Sequence, residues 1–181
     1  AALKAVAAGV DGLIVEGGEG GGFKSPNDVA TMVLLPLVRS KVDVPIIAAG
    51  GFIDGKTMAA AFALGAEGIQ MGTRMVSAAE SPVHDNWKNA IVDAKETGTV
   101  FLNKFHSPAL RALRTERTSR LERDPETNAM SEFGTAIDLY FGGDMEAAIP
   151  LTGQVAGRIE SVKPVAEILA ETQAEFFETI S

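Results

Sequence analysis

The residues best placed to do chemistry are ones that carry no side chain. The apolar run Val44-Pro45-Ile46-Ile47-Ala48-Ala49 stops at Gly50-Gly51, and Asp54-Gly55-Lys56 opens a helix just beyond it. Glu67-Gly68-Ile69-Gln70-Met71 repeats the arrangement and ends at Gly72-Thr73, before another helical stretch. Glycine lets the main chain approach an anion closely, and the free amides and dipole of a helix start favour negative charge. Two consecutive turns of this kind predict a phosphate cradle, with Thr73 adding a hydroxyl donor. Hydrogen bonds to a charged acceptor are worth ~1.5 to 3 kcal/mol each. The competing explanation is glycine kept only for close helix packing, and the recurrence of the turn argues against it.

A third stretch, Glu16-Gly17-Gly18-Glu19-Gly20-Gly21-Gly22-Phe23, holds five glycines in the seven positions from Gly17 to Phe23. Ordering so flexible a segment is entropically expensive, so it is expected to wrap a ligand rather than merely turn. Glu19 could act as a base, but a carboxylate there is better suited to accepting backbone amides and fixing the loop. Lys24 could reach a cofactor or a carboxylated substrate; solvation is the usual state of an exposed lysine. Of the two histidines, His84 is expected to cap the helix after it, and His106 is the better candidate for meeting substrate. Arg111 and Arg114 could face an acidic substrate such as a coenzyme A ester, with a solvated helix face as the simpler explanation.

Composition narrows the classes. Sixteen Lys and Arg against twenty-four Asp and Glu give a formal net charge of -8, which disfavours nucleic acid. There is no cysteine, which removes disulfides, iron–sulfur clusters and thiol nucleophiles. The histidines lie far apart, outside any metal-ligand spacing. No apolar run approaches the ~18 residues of a membrane span, and no signal peptide is visible, so a cytoplasmic location is expected. The chain opens without methionine inside a helix, Ala1 to Ala8 closed by Gly9, and is expected to be the C-terminal part of a longer protein.

The elements that must position these residues alternate over 1–80. Strands are predicted at Gly12–Val15, Val44–Ala49 and Glu67–Met71, and helices at Val29–Val42, with Pro36 bending it or breaking off its first segment, and at Asp54–Leu64. Gly9-Val10-Asp11-Gly12-Leu13 and Gly65-Ala66-Glu67-Gly68-Ile69 share one pattern and mark repeated strand–helix units of a parallel α/β fold. A closed eight-stranded barrel takes about 250 residues, so these strands are expected to be part of one. Residues 81–181 are expected to form a mainly helical cap. It comprises a helix over His84–Ala94, a short strand at Thr99–Leu102, a basic helix over Pro108–Glu116, a charged loop from Arg117 to Met130, and a last helix from Pro164 to about Phe177.

Taken in order, Glu16–Gly22, Ala48-Ala49-Gly50-Gly51, Leu64–Arg74, Glu80-Ser81, Gly142-Gly143-Asp144 and Gly153-Gln154-Val155-Ala156-Gly157 resemble the C-terminal half of the nitronate monooxygenase family. That family was formerly called 2-nitropropane dioxygenase and includes the flavin-type enoyl-ACP reductase and NADH:quinone reductases. The resemblance implies an FMN-containing TIM (β/α)8 barrel, of which this chain supplies about strands 6 to 8 and a helical C-terminal extension. It places Glu16, Gly21 and Gly22 beside the flavin, and Gly50, Gly51, Gln70, Met71, Gly72 and Thr73 around the FMN phosphate.

One departure matters. Phe23 stands where the family usually has a histidine facing the flavin, and a phenyl ring cannot move a proton. The change removes the base for neutral nitroalkanes and the proton donor for enoyl reduction. A nitronate arrives already deprotonated, so its oxidation by O₂ is the activity expected first. NAD(P)H-linked reduction of a quinone or enoyl thioester is the alternative. A non-redox phosphate-binding lyase or isomerase, or a catalytically idle flavin binder, represents a different class. The expected partners are a small-molecule substrate and the N-terminal half of the same barrel; a homodimer is left open.

Overall fold

A computed structural model describes all 181 residues. Helix α1 (Ala2–Ala7) leads to strand β1 (Leu13–Glu16), α2 (Thr31–Arg39) to β3 (Ile46–Ala49), and α3 (Gly55–Ala63) to β4 (Gly68–Gln70). The three strands form one parallel sheet in the order β1-β3-β4, with Glu16, Ala49 and Gln70 side by side at its carboxyl end. Helices cover one face of this sheet, burying Val15, while Ile14 on the other face of β1 is exposed toward a cleft. Leu35, Ile46, Ala48 and Ala61 are fully buried between the sheet and its helices. Gly9 and Gly65 follow the ends of α1 and α3 with φ of 87° and 96°, so the shared pattern of the sequence is a shared helix stop. Pro36 sits inside α2 without ending it.

Between β1 and α2 the glycine-rich loop runs into β2 (Gly22–Lys24), which leaves the parallel sheet and joins a second one. That sheet is antiparallel, in the order β2-β6-β5, from β5 (Thr99–Leu102) and β6 (Ala109–Leu113). Here the structure departs from the expected helix over Pro108–Glu116. The spacing of Arg111, Arg114 and Arg117 imitates a helical stripe, but every residue of β6 is buried, Arg111 included. The helix starts only after Thr115, which forms a capping box with Thr118 and so turns the expected charged loop into α6 (Glu116–Arg123). The region 81–181 therefore carries a sheet beside its helices.

The remaining helices are α4 (Thr73–Val76), α5 (Asp85–Val92), α7 (Ala136–Tyr140), a 3-10 turn at Gln154–Arg158, and α8 (Val165–Ile180). Around Trp87 a second core gathers Ile91, Leu113, Leu139 and Ala156. No helix is long and apolar enough to cross a membrane.

Candidate functional site

At the carboxyl end of the parallel sheet the chain leaves an open cleft of ≈ 400 Å³. Register explains why it forms there. Ala49 pairs with Gln70, so the residues that follow them, Gly50-Gly51 and Met71-Gly72, turn away next to each other. Gly50 and Gly51 take φ of 81° and 94°, a conformation that side chains rarely allow. The amides of Gly51, Phe52, Gly72 and Thr73 donate to no group of the protein. Phe52 and Thr73 are buried and Gly51 is half-buried, where amides are normally paired, while the exposed Gly72 amide faces the open cleft beside them.

Of the residues singled out from sequence, Glu16, Gly21, Gly22, Gly50, Gly51, Gln70, Gly72 and Thr73 all line the cleft. Met71 lies outside the lining, between two residues that belong to it. The glycines divide into two kinds. Added Cβ atoms at Gly21 and Gly50 would meet main chain at 2.7 Å (Gly153 N) and 3.0 Å (Gly17 O), so these glycines are needed for close packing. Gly22 and Gly72 face open space, with nothing within 4 Å of an added Cβ.

Side chains then tie the walls together. Both Glu19 oxygens accept from the Thr31 amide, at 3.0 and 2.9 Å, and one accepts from the Thr31 hydroxyl at 2.8 Å. Glu19 therefore fixes the loop, as its setting among glycines suggested. Thr73 Oγ1 accepts the Gly153 amide at 2.8 Å, which leaves its own proton free. Gly153, with Leu151, Val155 and Val76, forms a wall assigned no role by the sequence. Its position depends on Trp87, whose indole donates to Thr152 at 3.2 Å. The signal was present in the Gly153-Gln154-Val155-Ala156-Gly157 motif, but nothing local shows what that motif packs against.

The other candidates lie elsewhere. Phe23 points away from the cleft lining and stacks on Phe133, ring centres 6.2 Å apart. His106 is also outside the lining, its Nε2 3.0 Å from the Glu126 carbonyl. His84 caps α5 by accepting the Asn86 amide at 3.1 Å. Arg111 donates to Gly18 O, meets Asp28 at 3.5 Å and lies over the Phe101 ring, so it anchors the glycine loop to the second sheet. Burial pulls its guanidinium below the ordinary value, with Asp28 and Glu19 acting against that. Arg114 pairs with Glu122 at 2.6 Å. Lys24 is not solvated: its ammonium lies 2.6 Å from Glu16. No group of metal-ligating side chains is present.

One expectation is corrected in its mechanism. The first turn of α3 is not an anion site, because Gly55 and Lys56 donate to Glu175 of α8 at 2.8 and 3.3 Å, and Thr57 donates to Asp54 at 2.8 Å. Only the main chain before the helix is left open.

Fold and cleft together define an α/β protein whose parallel strands deliver unspent main-chain amides to one ligand-sized opening. The chain belongs to the nitronate monooxygenase family, whose model it matches over residues 1–175. A "Probable nitronate monooxygenase" of Staphylococcus aureus is 32% identical over 177 residues, 90% of this chain and 50% of its own. The "(3aS,4S,5R,7aS)-5-hydroxy-7a-methyl-1-oxo-octahydro-1H-indene-4-carboxyl-CoA dehydrogenase" of Mycobacterium tuberculosis is 45% identical over 124 residues, 67% of this chain and 34% of its own. Among solved structures, FabK from Thermotoga maritima superposes with a TM-score of 0.92 at 40% identity, over 99% of this chain and 58% of its own. A nitroalkane oxidase from Streptomyces ansochromogenes gives 0.80 at 26%, over 99% and 56%. The chain thus spans 34 to 50% of the length of these curated relatives.

Proposed function

We propose that the protein is an FMN-dependent oxidoreductase that holds its cofactor in the cleft at the ends of β1, β3 and β4. The observation that carries this is the pair of register-matched turns, Gly50-Gly51 and Gly72-Thr73, with four amides unspent and open space before them. Glycines kept only for packing would be filled by neighbours, yet a Cβ at Gly72 would touch nothing and one at Gly51 would meet only the Glu19 Cβ, at 3.8 Å. The residues therefore fit a phosphate end. The amides of Gly51, Phe52, Gly72 and Thr73 and the Thr73 hydroxyl would bind it, with Met71 contributing through its place in the second turn. Gly21, Gly22, Gln70 and Glu16 would lie along the rest of the cofactor, and Val76, Leu151 and Val155 would shield it from water. The flavin, when bound, supplies the electron and hydride chemistry. The architecture proposed around this cleft is the strand 6 to 8 portion of a (β/α)8 barrel, in a cytoplasmic protein.

For the reaction we propose oxidation of an alkyl nitronate by O₂. The acids on this part of the cleft are engaged, both Glu19 oxygens by Thr31 and Glu16 by its ion pair with Lys24, and Phe23, which has no proton to move, is stacked elsewhere. A nitronate needs no deprotonation. NAD(P)H-linked reduction of an enoyl thioester or quinone is the second reading, favoured by the 40% identity to FabK and by the CoA in the name of the Mycobacterium tuberculosis relative. The protein as its gene encodes it should be yellow. Anaerobically, bleaching by an alkyl nitronate alone supports the first reaction, and rapid bleaching by NAD(P)H the second. A colourless preparation that binds sugar phosphates would overturn both.

A further inference from the structure

We infer that Lys24 is a positioning residue acting through Glu16, which it fixes as a hydrogen-bond acceptor on the cleft wall for an N–H or O–H group of the ligand. The inference rests on the FMN reading above and extends it to residues that reading leaves without a role.

Glu16 closes β1 in register with Ala49, and its side chain is 41% exposed on the cleft. One oxygen, Oε1, lies 2.6 Å from Lys24 Nζ, while Oε2 meets no donor of the protein. Lys24 reaches it from β2, where alternation sends Phe23 to Phe133 and returns Lys24 toward β1. The lysine side chain is only 7% exposed, and its ammonium also donates to Gly17 O at 3.3 Å. Gly20 lies across the pair. An added Cβ there would strike Glu16 Oε1 and fall 2.6 Å from Lys24 Nζ, so the pair in its present orientation fits close beneath a residue without a side chain. The other cleft acid, Glu19, has both oxygens engaged by Thr31. Glu16 is therefore the acid with acceptor capacity to spare, held in one orientation by a desolvated cation.

The cation has a second consequence. A lone carboxylate on this wall would repel an anionic ligand, and a partner charge at 2.6 Å cancels most of its field. Removing the lysine leaves a mobile and uncompensated negative charge. Removing the carboxylate's charge weakens the acceptor, since charge-assisted hydrogen bonds are roughly twice as strong as neutral ones.

The test uses Glu16→Gln, Lys24→Met, their double variant and Lys24→Arg. It reads FMN affinity of the deflavinated protein by quenching of FMN fluorescence, and KM and kcat for an alkyl nitronate. Each single variant should weaken binding about 10-fold, the loss of roughly 1.4 kcal/mol. The double variant should be no worse than either single one, and Lys24→Arg should recover most of the loss. If FMN affinity moves, the donor belongs to the cofactor; if only KM moves, it belongs to the substrate. Unchanged FMN affinity and KM in Glu16→Gln, or additive losses in the double variant, overturn the inference. Should Lys24→Met fail to fold, Glu16→Gln, which keeps the side chain's size, decides alone. A wild-type protein that takes up no FMN would sink the cofactor reading itself, and this inference with it.

Discussion

Two places in one short stretch of chain offer main-chain amides to an anion, and only one is open. At the Gly50-Gly51 turn and its neighbour Gly72-Thr73 the amides meet no acceptor. At the first turn of α3 they are already spent on Asp54 and on Glu175, which arrives from α8, 120 positions along the chain from Gly55. Both places carry the local signs of an anion site: glycine, a strand end, a helix start. What separates them is whether the rest of the chain supplies a carboxylate. An anion site is thus defined by what the fold leaves unsatisfied: the local sequence shows the amides and the capping Asp54, but not Glu175.

The closed side of this comparison breaks most visibly at Gly55. A Cβ there would run into the Phe176 amide and lie 2.5 Å from the Thr172 carbonyl, main-chain atoms of α8 that cannot rotate aside. Gly55→Ala should cost about 3 kcal/mol of unfolding free energy, the upper range for overpacking. Chemical denaturation measures it. A neutral substitution would mean that α8 is not seated on α3 as tightly as the geometry requires.

The open side is sharpened at Gly72. Its φ of -93° is ordinary for any residue, and an added Cβ would meet nothing. Gly72→Ala should leave stability within about 0.5 kcal/mol, as surface substitutions usually do. FMN affinity should nevertheless fall about 10- to 100-fold, because the new methyl group enters the space a phosphate would fill and displaces hydrogen bonds of ~1.5 to 3 kcal/mol. Lost stability with intact FMN binding would make this glycine a packing residue and dissolve the distinction. A smaller change comes from Glu175→Gln, which weakens the helix-start contacts by about 1 kcal/mol and leaves FMN affinity unchanged.

These contrasts also explain how far the sequence could be read. The parallel strands, their order of turns and the glycines of the cleft were legible because each rests on a local pattern: an apolar run, a stop, a helix cap. So were the capping role of His84, which acts two residues along its own chain, and the loop-fixing role of Glu19, which follows from a carboxylate set among glycine amides although its partner Thr31 lies twelve positions on. What escaped depends on distant partners. Strand β6 looked helical because its arginine spacing is amphipathic only if Arg111 stays outside, and the acceptors that draw it in, Gly18 and Asp28, sit in another element. Lys24 looked solvated because its partner Glu16 ends a different strand. The wall at Leu151–Val155 becomes part of the cleft only through Trp87 and Thr73.

The finest distinction between the two sides is their response to acid. Burial pushes the Asp54 carboxyl up, but hydrogen bonds from the Thr57 amide and hydroxyl and the nearby Arg158 outweigh it, so its pKa lies below the ordinary 3.8. A carboxylate stabilised in the folded state contributes at every pH above its unfolded value. Its contribution fades as the pH falls below 3.8 and through the lower folded value. Asp54→Asn keeps an oxygen to cap Thr57 but cannot titrate. The wild-type advantage over this variant should therefore be level near neutral pH and shrink once the pH drops below about 4, as read from denaturation midpoints. An advantage that stays constant into acid would show that the helix start depends on shape alone. The phosphate-type turns, whose donors are amides and a hydroxyl, have no such group to lose, so acid separates a site satisfied by the protein's own carboxylates from one left for a ligand.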